Sequence, residues 1–130
     1  MDPVTHFEMP AKDKARAGKF YSSVFGWKMQ QLGPEMGEYM TAGTVEVDAK
    51  RMPKTPGAIN GGFYTPTDDP LSKVPSVVIS VKDVKASMKA VEKAGGKILR
   101  QPDEIPGIGL WVSFLDTEGN RVSMIQPKMP

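Results

Sequence analysis

The sequence predicts an α+β fold made of two βαβββ modules, and three observations carry that prediction. Short runs with two-residue alternation, the mark of strands with one covered face, are interleaved with two stretches of helical spacing. The order strand, helix, strand, strand, strand then occurs twice. Shifting the chain by 70 residues lays "HFEMPAKDKARAGKFYSSVFGWKMQQ" on "SVVISVKDVKASMKAVEKAGGKILRQ", with five identities in 26 positions and with strand, helix, glycine stop and strand in phase. The modules span about 1–66 and 72–130 and together make one domain.

In the first module, "VTHFEM" (4–9) reads as a strand with Val4, His6 and Glu8 on one face and Thr5, Phe7 and Met9 on the other. A helix follows over about 12–25, where Ala15, Lys19 with Phe20, Val24 and Phe25 recur at helical spacing and Gly26 is placed as a left-handed stop. Strands are expected at "WKMQQL", near "EYMTA" and near "AINGGFY", the last weakened by its paired glycines. In the second module "PSVVISV" is a β-branched strand, 83–94 form an amphipathic helix ended by Gly95 and Gly96, and "KILRQ", "GLWVSFL" and "RVSMIQ" complete the set.

Composition removes several function classes. The chain has 130 residues, 39% hydrophobic and 25% charged, with 17 Lys and Arg scattered among 15 acids. A net charge of +2 without a cationic run does not suit a nucleic-acid footprint. No apolar stretch approaches a membrane span, and "MDPVTHFEMP" lacks the basic start and apolar run of a signal peptide, so the expected location is cytoplasmic. The lack of cysteine fits that location and removes thiolate nucleophiles, disulfides and cysteine zinc sites.

"HFEMPAKDKARAGKFYSSVFGW", with its aromatic pair on the helix and Phe-Gly-Trp exit, resembles the glyoxalase, bleomycin-resistance and extradiol-dioxygenase superfamily, also called vicinal oxygen chelate proteins. "FLDTEGNRVSMIQP" is similar to its closing hairpin, with Thr117 where proline is common. The opening "HFE" and the "IPGIG" before the penultimate strand look like the branch of small proteins related to lactoylglutathione lyase. The resemblance implies that the modules form a curled, incomplete mixed β-barrel with helices on its outer face, commonly as a homodimer, with a small-molecule cavity inside the curl.

Active members of that superfamily hold a divalent metal through His, Glu or Gln on four strands. The matching positions here are His6, a residue in "AINGGFY" around Asn60 or Gly62, Ser76 and Ser123. Only His6 is a competent ligand, and Glu8 is carried toward its strand end, so no divalent metal cofactor is expected. Alternation places Val4, His6, Glu8, Ser76, Val78, Ser123 and Ile125 on the cavity side. His6 is then either a general base oriented by Glu8, whose charge would raise its basicity, or a hydrogen-bonded polar group under a pocket floor.

Phe20, Tyr21, Phe25 and Trp27 are expected in the core, whereas Trp111, Tyr39 and Tyr64 have no fixed face, and Trp111 is a candidate ligand contact. "GTVEVDAKRMPKTPG" (43–57) is longer than its counterpart turn "DTEGN" and is either a lid carrying Lys50, Arg51 and Lys54 or a solvated loop. The nine methionines suit either core filling or an adaptable pocket. The functions open to such a chain are a metal-independent lyase or isomerase, a non-catalytic module that sequesters a drug or metabolite, and a metal-dependent enzyme like lactoylglutathione lyase.

Overall fold

In a computed structural model, which describes residues 1–128, the described residues form two α-helices and nine strands. The chain divides into two compact units. One runs from His6 to Pro75; the other joins Met1–Thr5 to the residues from Ser76 on. The α+β class and the strand-helix-strand order of each module are as the sequence implies. No helix of the described residues is long and apolar enough to cross a membrane.

The His6–Pro75 unit contains most of β1 (Val4–Pro10), then α1 (Lys14–Phe25), β2 (Lys28–Gln31), β3 (Met40–Gly43) and β4 (Asn60–Tyr64). Helix α1 starts at Asp13, whose carboxylate accepts the Arg16 N–H at 2.9 Å, and stops at Gly26, a left-handed residue at φ 73°. Strand β1 pairs parallel with β4, which pairs antiparallel with β3, and β3 with β2. Ala11, Met40, Ala42 and Phe63 form the buried core on the helix side, with Phe7, Met9, Ala17, Tyr21, Trp27 and Met29 packed around it.

The aromatic helix expected in the core is only partly there. Tyr21 packs on Trp27 at 4.7 Å between ring centroids and on Phe63 at 5.4 Å, but Phe20 and Phe25 are 55% and 60% exposed. Helical spacing fixes an apolar stripe, and this stripe is wider than the sheet beneath it. Gly18, buried against Met29 and Met40, marks the line of closest approach.

In the second unit, β5 (Ser76–Ser80) pairs parallel with β9 (Arg121–Pro127), β9 antiparallel with β8 (Gly109–Leu115), and β8 with both β6 (Lys97–Ile98) and β7 (Asp103–Ile105). Strand β7 has no counterpart in the predicted elements, and the expected "KILRQ" strand shortens to two residues. Helix α2 (Val84–Lys93) is capped by Asp83, which accepts from Lys85 N–H and Ala86 N–H, and its first amide donates to Gln126 Oε1 at 2.9 Å. Val81, Val84, Val112, Phe114 and Met124 form this unit's core, with Val84 and Val112 fully buried.

The 43–57 connection is ordered by its own hydrogen bonds. Val47 bridges Pro53, Asp48 N–H donates to Met52 O at 2.9 Å, and the Asp48 carboxylate accepts from the Lys50 and Met52 amides. Arg51 turns the chain at φ 65°.

Candidate functional site

The parallel register of β1 on β4 sets His6 opposite Asn60 and Glu8 opposite Gly62, while β3 sets Thr41 opposite Gly62. Alternation therefore gathers His6, Glu8, Thr41, Asn60, Gly62 and Tyr64 on the face turned away from α1. Tyr39, two residues before Thr41, joins them. Its hydroxyl lies 3.2 Å from His6 Nε2.

The paired glycines of β4 make this arrangement possible. A β-carbon on Gly61 would stand 2.4 Å from the Phe7 ring on the core face, and one on Gly62 would stand 2.1–2.2 Å from the Tyr39 ring on the other. What reads in sequence as a weak strand is a strand with an aromatic ring laid across each of its faces.

Asn60 does different work from that expected of a ligand position. Its side-chain oxygen accepts the Thr44 N–H at 2.7 Å and the Val45 N–H at 3.0 Å, and the Thr44 hydroxyl donates to Ile59 O. These bonds fasten the start of the 43–57 loop to the beginning of β4.

Burial sets the electrostatics of the pair. Desolvation lowers the pKa of His6 below its ordinary 6.5, so the imidazole is neutral at neutral pH. The Tyr39 hydroxyl is pushed far above its ordinary value, first by desolvation, then by the negative charge of Glu8 and then by the neighbouring Tyr64 phenol, and stays protonated. Glu8 thus acts electrostatically on Tyr39, and burial governs His6. A protonated hydroxyl facing a neutral imidazole gives one donor and one acceptor, the roles exchanging with the ring tautomer.

The lowered pKa of His6 has a consequence for stability. Between the folded value and 6.5 the unfolded chain binds more protons than the folded one, so stability is full above about pH 6.5 and is lost as pH falls through the folded value. Urea unfolding of His6→Gln is expected to show a shallower loss between about pH 7 and pH 5 than the parent chain. Equal slopes would remove His6 as the buried titrating group.

In the second unit, Val78 lies opposite Ser123, Trp111 opposite Ile125, and Ser113 opposite Ser123. Ser76, Val78, Trp111, Ser113, Ser123 and Ile125 therefore share the face turned away from α2, with Val78, Ser113 and Ser123 buried. Ser113 had no distinguishing mark in the sequence beyond its place in "GLWVSFL". At the 70-residue offset Val78 corresponds to Glu8, so Ser123 corresponds to Gly62 rather than to Asn60.

Residues 4–124 match the family described as the glyoxalase/bleomycin resistance protein/dioxygenase superfamily. The chain belongs to that superfamily. It is 34% identical over 125 residues to a glyoxylase-like domain-containing protein of Didymella fabae, covering 90% of this chain and 88% of that protein. Over an alignment of 54 residues it is 44% identical to a lactoylglutathione lyase of Oryza sativa subsp. japonica, covering 38% of this chain and 19% of that protein. In fold the chain is similar to a methylmalonyl-CoA epimerase solved in complex with methylmalonyl-CoA and NH4+, with a TM-score of 0.69 at 15% identity, covering 98% of this chain and 95% of that one.

At the positions that match the superfamily's metal ligands, only His6 carries one of the usual metal donors. No group of three or more His, Cys, Asp or Glu that could hold an ion occurs among the described residues. Ser76, Ser123 and Gly62 stand at three of the matching positions, and the Nε2 of the single imidazole already faces a hydroxyl.

Proposed function

We propose that this chain is a small-molecule-binding member of the superfamily with a degenerate metal site, working as a metal-independent lyase or isomerase on a small oxygenated molecule. The observation that carries this reading is the neutral, half-buried imidazole of His6 hydrogen-bonded to Tyr39 on a face it shares with Glu8, Thr41, Asn60, Gly62 and Tyr64. A neutral imidazole removes a proton from carbon next to a carbonyl, the step shared by isomerases and lyases of oxygenated substrates; an isomerase then returns the proton at another position, and a lyase releases a leaving group from the adjacent carbon as the electron pair forms a double bond. Glu8 supplies the fixed negative charge beside the pair. In the second unit, taken by itself, the face turned away from α2 brings Ser76, Val78, Trp111, Ser123 and Ile125 together as an apolar surface with placed hydroxyls, the composition common to ligand cavities. Asn60 contributes by holding the 43–57 loop. The reading includes a cytoplasmic homodimer.

A second reading, a module that sequesters a drug or metabolite without chemistry, is favoured by the serines at Ser76 and Ser123 and by the indole of Trp111 on the same face. Protein purified without a histidine tag separates the readings. A thermal-shift screen of aromatic antibiotics, 2-oxoaldehyde adducts and hydroxy acids identifies binders, and each binder is then incubated in D2O. The enzyme reading expects deuterium to enter a bound carbon acid and to stop doing so in His6→Gln. Tight binding with no exchange replaces it with sequestration, and stoichiometric metal lost on His6→Ala restores a metalloenzyme.

A further inference from the structure

Tyr39 is held from several directions. Its amide donates to Met36 O at 3.3 Å, its carbonyl accepts from Leu32 N–H at 2.8 Å and from Gln31 Nε2 at 3.3 Å, and the chain enters it through Gly37 and Glu38, both at positive φ. From that anchor the ring lies over the bare backbone of Gly62, with Cε2, Cζ and the hydroxyl within 2.1–2.2 Å of where a β-carbon would stand. The hydroxyl ends 3.2 Å from His6 Nε2.

A ring nitrogen binds a metal ion along the same in-plane direction in which it makes its hydrogen bond, so the two cannot coexist. We infer that Tyr39, seated on Gly62, determines the specificity of the His6 site by occupying the Nε2 position that a divalent ion would take, so that the site meets ligands through hydrogen bonding and excludes chelation. This inference rests on the metal-free reading of His6 and adds the residue that enforces it. Gly62 has a defined part in it. Any side chain there would lift the ring off the strand and open Nε2.

The chain's single histidine makes the test direct, because every imidazole resonance of the untagged protein belongs to His6. Aqueous Ni2+ is titrated at about pH 8, where the neutral ring can bind metal, and paramagnetic broadening of the His6 ring signals is read. The wild-type signals are expected to persist through Ni2+ concentrations that broaden them in Tyr39→Ala and Gly62→Ala. Tyr39→Phe keeps the ring and loses one hydrogen bond, so its midpoint is expected to shift by about 3- to 10-fold toward lower Ni2+. Circular dichroism checks that each variant folds, and Tyr39→Phe, which loses one oxygen, serves if the other two do not. Wild-type broadening at the same Ni2+ concentration as in the folded variants overturns the role of Tyr39. Metal found by elemental analysis in the untagged wild type overturns the reading beneath it, a separate outcome.

Discussion

Phe63→Ala is expected to lower the stability of the chain by about 3–5 kcal/mol and its melting temperature by about 10–20 °C. Phe63 is 2% exposed and sits on β4 where the helix face of the first module closes. Its ring packs on Tyr21, which stacks in turn on Trp27, and Trp27 meets Phe7 at 5.5 Å. Removing it leaves a cavity lined by rings that are themselves locked. Phe7 lies against Gly61, so it cannot sink further toward the strand to fill the space. Phe25→Ala provides the contrast, since that ring is 60% exposed and meets Phe20, Tyr21 and Trp27 only at 6.0–6.5 Å between centroids. About 1 kcal/mol or less is expected there. Equal losses for the two variants would mean that the exposed edge of α1 is covered in solution and that the aromatic stripe is core throughout.

Tyr21 and Phe25 on α1 show what a sequence can carry. Period 3.6 identifies an apolar stripe on α1 and period 2 identifies the strands, because both are properties of the local backbone. The width of the covered part of a stripe is a property of what lies opposite. Tyr21 and Phe25 therefore look alike in sequence and differ in burial. The first-strand alternation placed His6 and Glu8 on one face, and the 70-residue repeat aligned the modules. The hydroxyl that meets His6 lies 33 residues away and arrives through two strand pairings, β1 with β4 and β4 with β3. Nothing local marks Tyr39 for that part. The usable signal was Gly-Gly in a strand, which reads as weakness until the ring above each glycine is known. Strand β7 was invisible for another reason. Three residues, Asp103–Ile105, are too few to show a period, and only the exposed edge of β8 gives them a partner.

Gly109→Ala is expected to cost about 2–5 kcal/mol, for two reasons that add. Gly109 opens β8 at φ 152°, a conformation in the region L side chains rarely adopt, and a β-carbon there would stand 2.2 Å from Gln126 O and 3.0 Å from Pro127 Cα. Both obstacles are backbone atoms of β9, so no rotamer change relieves them. The strands pair at that point, Gly109 with Pro127, and the turn before it is tied by Ile108 N–H to Ile105 O and by Lys128 N–H to Ile108 O. Alanine must therefore open the end of the β8–β9 ladder. The displacement reaches α2 as well, because Gln126 is the residue whose side chain caps the Val84 amide. Gly107, two residues earlier in "IPGIG", has φ 74° and nothing within 4 Å of a built β-carbon. Gly107→Ala should thus cost only about 1–2 kcal/mol, the left-handed penalty alone. Chemical denaturation of the two variants, with amide exchange at Leu110 and Val112, reads the difference. If they lose the same stability, the second glycine of the motif is a turn residue like the first; if Gly109→Ala loses more together with ladder protection, it is the point at which two backbones touch.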